Sequence, residues 1–280
     1  MTFTGMYLRT FIVTLNQSLR FILSAILMSL CVVLPASADK LQLAIQPILS
    51  KSQTEAAYKP LADYLSKVTG HTITVKASFT FLDYWEDMRK NNGFDLVLDA
   101  AHFTDYRVQK MGYTVLVKVK DTVSYSLASH EDQLVFDPEE LIGKKIAIIP
   151  SPSLGGVRLA EMFPNPLRQP RIVGTNNSTE ALKKLRDKKV DAILIPTPMT
   201  RGVNSINIIS TTQPVPHIAL SASPKVDLTT QRAIRKALLD APKTPAGEAM
   251  LKAINLGGFE KASNTTYKGY ARLLQGVWGY

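Results

Sequence analysis

The residues best placed to do chemistry lie in three short stretches. Pro150-Ser151-Pro152-Ser153-Leu154-Gly155-Gly156 follows a β-branched run and precedes a helical pattern. Backbone N–H groups at a helix start attract anions, and serine hydroxyls add donors. Ser153, Gly155 and Gly156 are therefore expected to hold the polar end of a ligand, although Ser153 also fits a plain helix cap. Asn177 and Ser178 open another predicted helix and offer neutral donors, or simply its cap. Asp99, Ala100, Ala101, His102, Phe103 and Thr104 follow a short apolar strand. There Asp99 is either a carboxylate that meets a ligand amine or a strand-end acid bonded to backbone. His102 is either a ligand contact or a capping residue. Phe79, Phe81, Tyr84 and Trp85 form an aromatic group in which Phe79 or Phe81 is expected at a cleft and the other two in the core.

Catalytic constellations are missing from the pattern. The four histidines, His71, His102, His130 and His217, fall on separate predicted elements without metal-ligand spacing. The sequence has no nucleophile elbow and no glycine-rich nucleotide loop, and Ser153 has no evident partner base. The chain is expected to be non-enzymatic, with no metal and no cofactor.

The segment 1–38 differs from the rest. It holds Arg9 and Arg20, no acid, an apolar run over 21–34, then Pro35 and Ala36-Ser37-Ala38. This is the layout of a secretory signal peptide cleaved after Ala38. The single cysteine, Cys31, leaves with it, so the exported chain has no thiol. Losing Arg9 and Arg20 lowers the formal charge from +10 by two. The remaining basic residues are spread out or sit on polar helix faces, which reads as a solvated surface rather than a nucleic-acid interface.

The elements that must position these residues alternate between strand and helix. Strands are expected over 41–45, 73–77, 95–98, 113–119, 123–128, 145–149, 171–173, 190–195 and 217–221. Ser52-Gln53-Thr54-Glu55 has capping-box spacing ahead of a helix that Pro60 should kink or delay. Further helices are expected over 81–90, 103–111, 154–163, 181–187, 229–239 and 245–254. Such alternation implies parallel sheets covered on both faces. Its length fits two lobes: 39–128 and 216–280 forming the first, 129–215 the second. Open α/β sheets bind ligands beyond the carboxyl ends of their strands, where the loops 99–104, 151–156 and 176–178 fall.

Four stretches resemble a known family. They are Tyr58-Lys59-Pro60-Leu61-Ala62-Asp63-Tyr64-Leu65, Phe94-Asp95-Leu96-Val97, Glu140-Leu141-Ile142-Gly143-Lys144-Lys145-Ile146-Ala147, and Leu256-Gly257-Gly258-Phe259 with Tyr267; Val190-Asp191-Ala192 adds a smaller match. In order and spacing the chain resembles the phosphate/phosphite/phosphonate-type periplasmic substrate-binding proteins of ABC transporters. The resemblance implies a two-lobed type II periplasmic-binding-protein fold with two crossover strands and a ligand cleft between the lobes. It implies a small-molecule ligand, a membrane permease as partner, a monomer, and residence in the periplasm. Where the family has serines and a tyrosine around the ligand, this chain has Pro152, Leu154, Phe103 and Thr104. The ligand is thus either a phosphonate-like oxyanion or a larger, less charged organic molecule. A sensor subunit presenting its ligand to a membrane histidine kinase is a further alternative.

Overall fold

A computed structural model describes residues 39–90 and 94–280. The expected signal peptide lies outside the described residues. The chain first lays down β1 (Lys40–Ile45), α1 (Lys51–Thr69), β2 (Thr72–Ala77), α2 (Phe81–Arg89), β3 (Leu96–Asp99), α3 (Ala101–Met111) and β4 (Thr114–Val119). Next come β5 (Thr122–Val123), β6 (Tyr125–His130), β7 (Lys145–Ile148), α4 (Leu154–Met162), β8 (Arg171–Gly174), α5 (Ser178–Arg186), β9 (Ala192–Pro196) and β10 (Ile206–Thr211). The return consists of β11 (Val215–Pro216), β12 (Ala219–Ala222), α6 (Leu228–Asp240), α7 (Pro245–Ala253) and β13 (Phe259–Lys261).

These strands form two main sheets. Six strands run in the order β13-β4-β12-β3-β1-β2, and five in the order β10-β6-β9-β7-β8. Three strands at one side of each are parallel, β2-β1-β3 in one and β8-β7-β9 in the other, and the remaining pairings are antiparallel. Strands covered on both faces need no polar alternation, which is why Leu96 to Asp99 is buried throughout. The two sheets share a small device. Asp95, just before β3, donates its N–H to Gln42 O and accepts Gln42 N on its carboxylate. Asp191, just before β9, does the same with Lys145 at the start of β7. Each aspartate thereby pins the register of a neighbouring parallel strand.

The chain passes between the sheets twice, and the two passages pair as the ribbon β5–β11. The run read as one strand over 123–128 is two strands divided at Ser124, whose carbonyl accepts Thr197 N. The second piece, β6, pairs antiparallel with β9 and β10. Residues 125–130 therefore belong to the five-stranded sheet, and the chain leaves the first sheet a few residues before 128. The opening helix also differs from its expected start. Ser50, not Ser52, is the N-cap, in a reciprocal box with Gln53. The helix then runs through Pro60 to Thr69. Tyr58, Leu61, Ala62 and Leu65 bury themselves on either side of the proline, and this burial outweighs its missing N–H.

Candidate functional site

The site is built where α3 and α4 begin. β3 delivers the chain to Ala100, whose N–H donates to Gln46 Oε1 at 3.1 Å. Gln46 lies just past the carboxyl end of β1. Ala100 cannot cap α3 with its side chain, and the helix N–H groups of Ala101 and His102 have no acceptor among the described residues. The first turn of α4 leaves Leu154 and Gly155 in the same state. One contact joins the two starts: His102 Nε2 lies 2.9 Å from Pro152 O. Leu154 and Val157 pack in the same apolar cluster as Ala100, Ala101, Val215 and Ile218. Two positive helix ends thus face one another across a seam between the sheets.

His102 is fully buried, with its ring 4.1 Å from Phe103. Burial lowers its pKa to about 4, the Pro152 carbonyl opposes that shift, and Arg107 and Arg158 reinforce it. The imidazole is therefore neutral near pH 7. A carbonyl can only accept, so Nε2 carries the hydrogen and Nδ1 is a lone pair; it has no partner among the described residues. A pH signature follows. The unfolded chain binds a proton at His102 near pH 6.5 and the folded chain only near pH 4. Stability at this group is complete above about 6.5 and falls as pH drops toward 4, by up to about 1.4 kcal/mol per unit. Urea titrations between pH 4 and 7 should show this slope, and His102→Gln should flatten it. An unchanged slope would place His102 in water.

Ser153 is fully engaged. Its hydroxyl donates to Ile149 O at 2.6 Å and accepts Gly156 N at 2.9 Å. It is a helix cap, and its hydroxyl reaches a ligand only by releasing Ile149. Gly155 lies against Tyr125, and Gly156 against the backbone of Ser151. Tyr125, at the start of β6, has its hydroxyl pKa pushed up to about 12 by burial, opposed by Arg158. Asn177 Oδ1 accepts Glu180 N at 2.9 Å, so this residue caps α5, with Ser178 as its first residue.

Asp99, Phe103, Thr104 and Phe81 gather elsewhere, in the interior. The Asp99 carboxylate accepts Tyr84 Oη at 2.8 Å and Thr104 Oγ1 at 3.0 Å, and pairs with Arg107. Both members of that pair are fully buried. Asp99 raises the Arg107 pKa against the burial that would lower it, and burial holds the Tyr84 hydroxyl well above its usual range. Phe103 stacks near Phe81 and Trp85 and meets Tyr84 edge-on. These aromatics with Met88, Phe94 and Tyr113 form one core cluster. Phe79 alone of the group is widely exposed, under Lys51 Nζ at 4.8 Å. Sequence reasoning passed over Gln46, Tyr125 and Thr175, whose buried Oγ1, just beyond β8, has no partner among the described residues. Each sits at the carboxyl end of a strand or at a crossing, which is the positional signal for them.

Known proteins share this fold. The family model described as ABC transporter, phosphonate, periplasmic substrate-binding protein matches residues 43–267. None of the curated proteins matches the sequence. Solved structures with the same fold include PhnD1 of Prochlorococcus marinus in complex with methylphosphonate, at TM-score 0.72 and 10% identity, covering 86% of this chain and 99% of that one. An ATP-bound protein from Xanthomonas citri aligns at TM-score 0.70 and 16% identity, covering 85% and 97%. A binding-protein component of a phosphonate ABC transporter from Pseudomonas aeruginosa aligns at TM-score 0.69 and 12% identity, covering 85% and 86%.

Proposed function

Because the chain belongs to the periplasmic substrate-binding proteins of phosphonate-type ABC transporters, we propose that it captures a small oxyanion of the phosphonate class at the seam where α3 and α4 begin. It hands this ligand to a membrane permease and carries out no chemistry on it. The observation that carries the reading is the pair of opposed helix starts with free N–H groups, joined by His102 and Pro152. Free N–H groups at a positive helix end suit an anion. The ligand replaces Pro152 O as the acceptor for His102 Nε2–H and takes the amides of Ala101, Leu154 and Gly155. Ser153 serves by holding α4 in place. The lobes are divided at the β5–β11 ribbon, which acts as the hinge, and the protein works as a monomer in the periplasm after losing residues 1–38.

Titration calorimetry with methylphosphonate tests this reading. His102→Ala removes one donor to a charged acceptor, which is about 1.5–3 kcal/mol, so affinity should fall roughly tenfold to hundredfold. His102→Asn, which keeps a donor, should recover part of it. Full affinity in His102→Ala would end the assignment. A second reading rests on Leu154, buried at this seam against apolar neighbours. For a larger, less charged organic ligand, Leu154→Ser weakens binding and His102→Ala does not.

A further inference from the structure

We propose that the protein carries a second anion site, away from the helix-start seam. It is a crevice of about 620 Å³ between the outer half of α4 and the turns at 264–274. Its ligand class is a small polyanion bearing at least two negative charges, such as a condensed phosphate.

The argument begins with Arg158 on α4. It is 7% exposed, and its guanidinium donates to Glu161 and to Gln213 O. Those two bonds fix the cation at the crevice wall and neutralise the one acid in the lining. Lys268 and Arg272 form the opposite wall, both exposed, and neither has an acidic partner among the described residues. Some surface lysines on helices are neutralised by a neighbour on the same helix or at its end, as Lys59 is by Asp63, Lys183 by Asp187 and Lys236 by Asp240. The crevice therefore holds three cations against one carboxylate, a surplus of two positive charges. Its volume lies in the range that small-molecule sites use, roughly 300–1,000 Å³. The chemistry differs from that of the seam. There a neutral imidazole and backbone amides offer directed donors; here guanidinium and ammonium groups offer full charges, which favour a highly charged ligand. The two walls come from different parts of the fold. α4 flanks the five-stranded sheet, whereas the turn Tyr270–Leu274 packs on α3 as well as on α4.

Calorimetry of the full protein with inorganic pyrophosphate tests the site. The wild type should bind, and Lys268→Glu/Arg272→Glu should bind roughly tenfold more weakly or worse, about 1.4 kcal/mol. Methylphosphonate affinity and the thermal transition of this variant should match the wild type. A control of equal charge change, Lys59→Glu/Lys183→Glu, should keep its pyrophosphate affinity. Four results overturn the proposal. Wild type fails to bind at millimolar pyrophosphate; the crevice variant binds as wild type does; the control weakens as much as the crevice variant; or His102→Ala, not the crevice variant, abolishes binding, which would put pyrophosphate at the seam. Loss of methylphosphonate binding in His102→Ala bears only on the seam.

Discussion

Arg107→Leu should destabilise the protein by about 3–5 kcal/mol, the range found when one partner of a buried ion pair is removed. Arg107 and Asp99 are both fully buried, so the substitution leaves the Asp99 carboxylate in the interior without its cation. The carboxylate would keep the hydroxyls of Tyr84 and Thr104, but these are neutral donors. Arg107 also donates to Met88 Sδ and lies over the Tyr84 and Tyr113 rings, so its removal loosens the aromatic cluster as well. Urea denaturation gives the number. The double variant Asp99→Leu/Arg107→Met should be more stable than Arg107→Leu, because it leaves no buried charge unpaired. It should stay below the wild type, since the Tyr84 and Thr104 hydroxyls lose their acceptor. A loss under about 1 kcal/mol in Arg107→Leu, the size of a surface pair, would contradict the burial of this pair.

The second large effect is expected at Gly156. A Cβ there would lie 2.2 Å from Ser151 N, 2.6 Å from Ser151 Cα and 2.7 Å from Pro150 C. All three are backbone atoms, so no side chain can rotate away. Gly156→Ala must push the 150–152 segment off α4, breaking the cap between Gly156 N and Ser153. Overpacking of this kind costs about 1–3 kcal/mol, and loss of the cap adds about 1 kcal/mol. The same displacement moves the loop that leads into the Leu154 and Gly155 amides, so ligand affinity should fall together with stability. Gly155→Ala provides the comparison. Its Cβ meets the Tyr125 ring at 3.0 and 3.3 Å, a side chain that can yield. Thermal unfolding and methylphosphonate titration should therefore rank Gly156→Ala well below Gly155→Ala. Equal behaviour would mean that the loop is not packed against the helix.

The ranking of these residues was only partly legible in the sequence. Alternating apolar runs and helical spacing located most of the helices and the central strands, because burial imposes those periods directly. The motif aspartates Asp95 and Asp191 were visible as matches, but their shared role in strand register needed three dimensions. At 102–104 the sequence placed three neighbours together at a cleft. In a helix successive side chains point about 100° apart, and here His102 reaches Pro152 while Phe103 and Thr104 turn inward. No one-dimensional pattern separates an aromatic lining a cleft from one beneath it. The membership of β6 was hidden for a similar reason. Its apolar run suits either sheet, and only its pairing with β9 and β10 decides between them.

The discontinuous six-stranded sheet bears on how the chain acquires its structure as it is synthesised. The strands of the five-stranded sheet all come from residues 125–211, one uninterrupted stretch. The other sheet needs β12, which lies between β3 and β4, and then β13 at its edge. Until residue 222 has emerged, β3 and β4 have no strand to join them, and the apolar surfaces prepared by the first eighty described residues stay open. Domains generally fold as units, starting from the N-terminus. In this chain the second-made unit is the first that can be completed. The earliest residues wait longest for their partners, and the open edges of β3 and β4 are what a holding chaperone would have to shield in that interval.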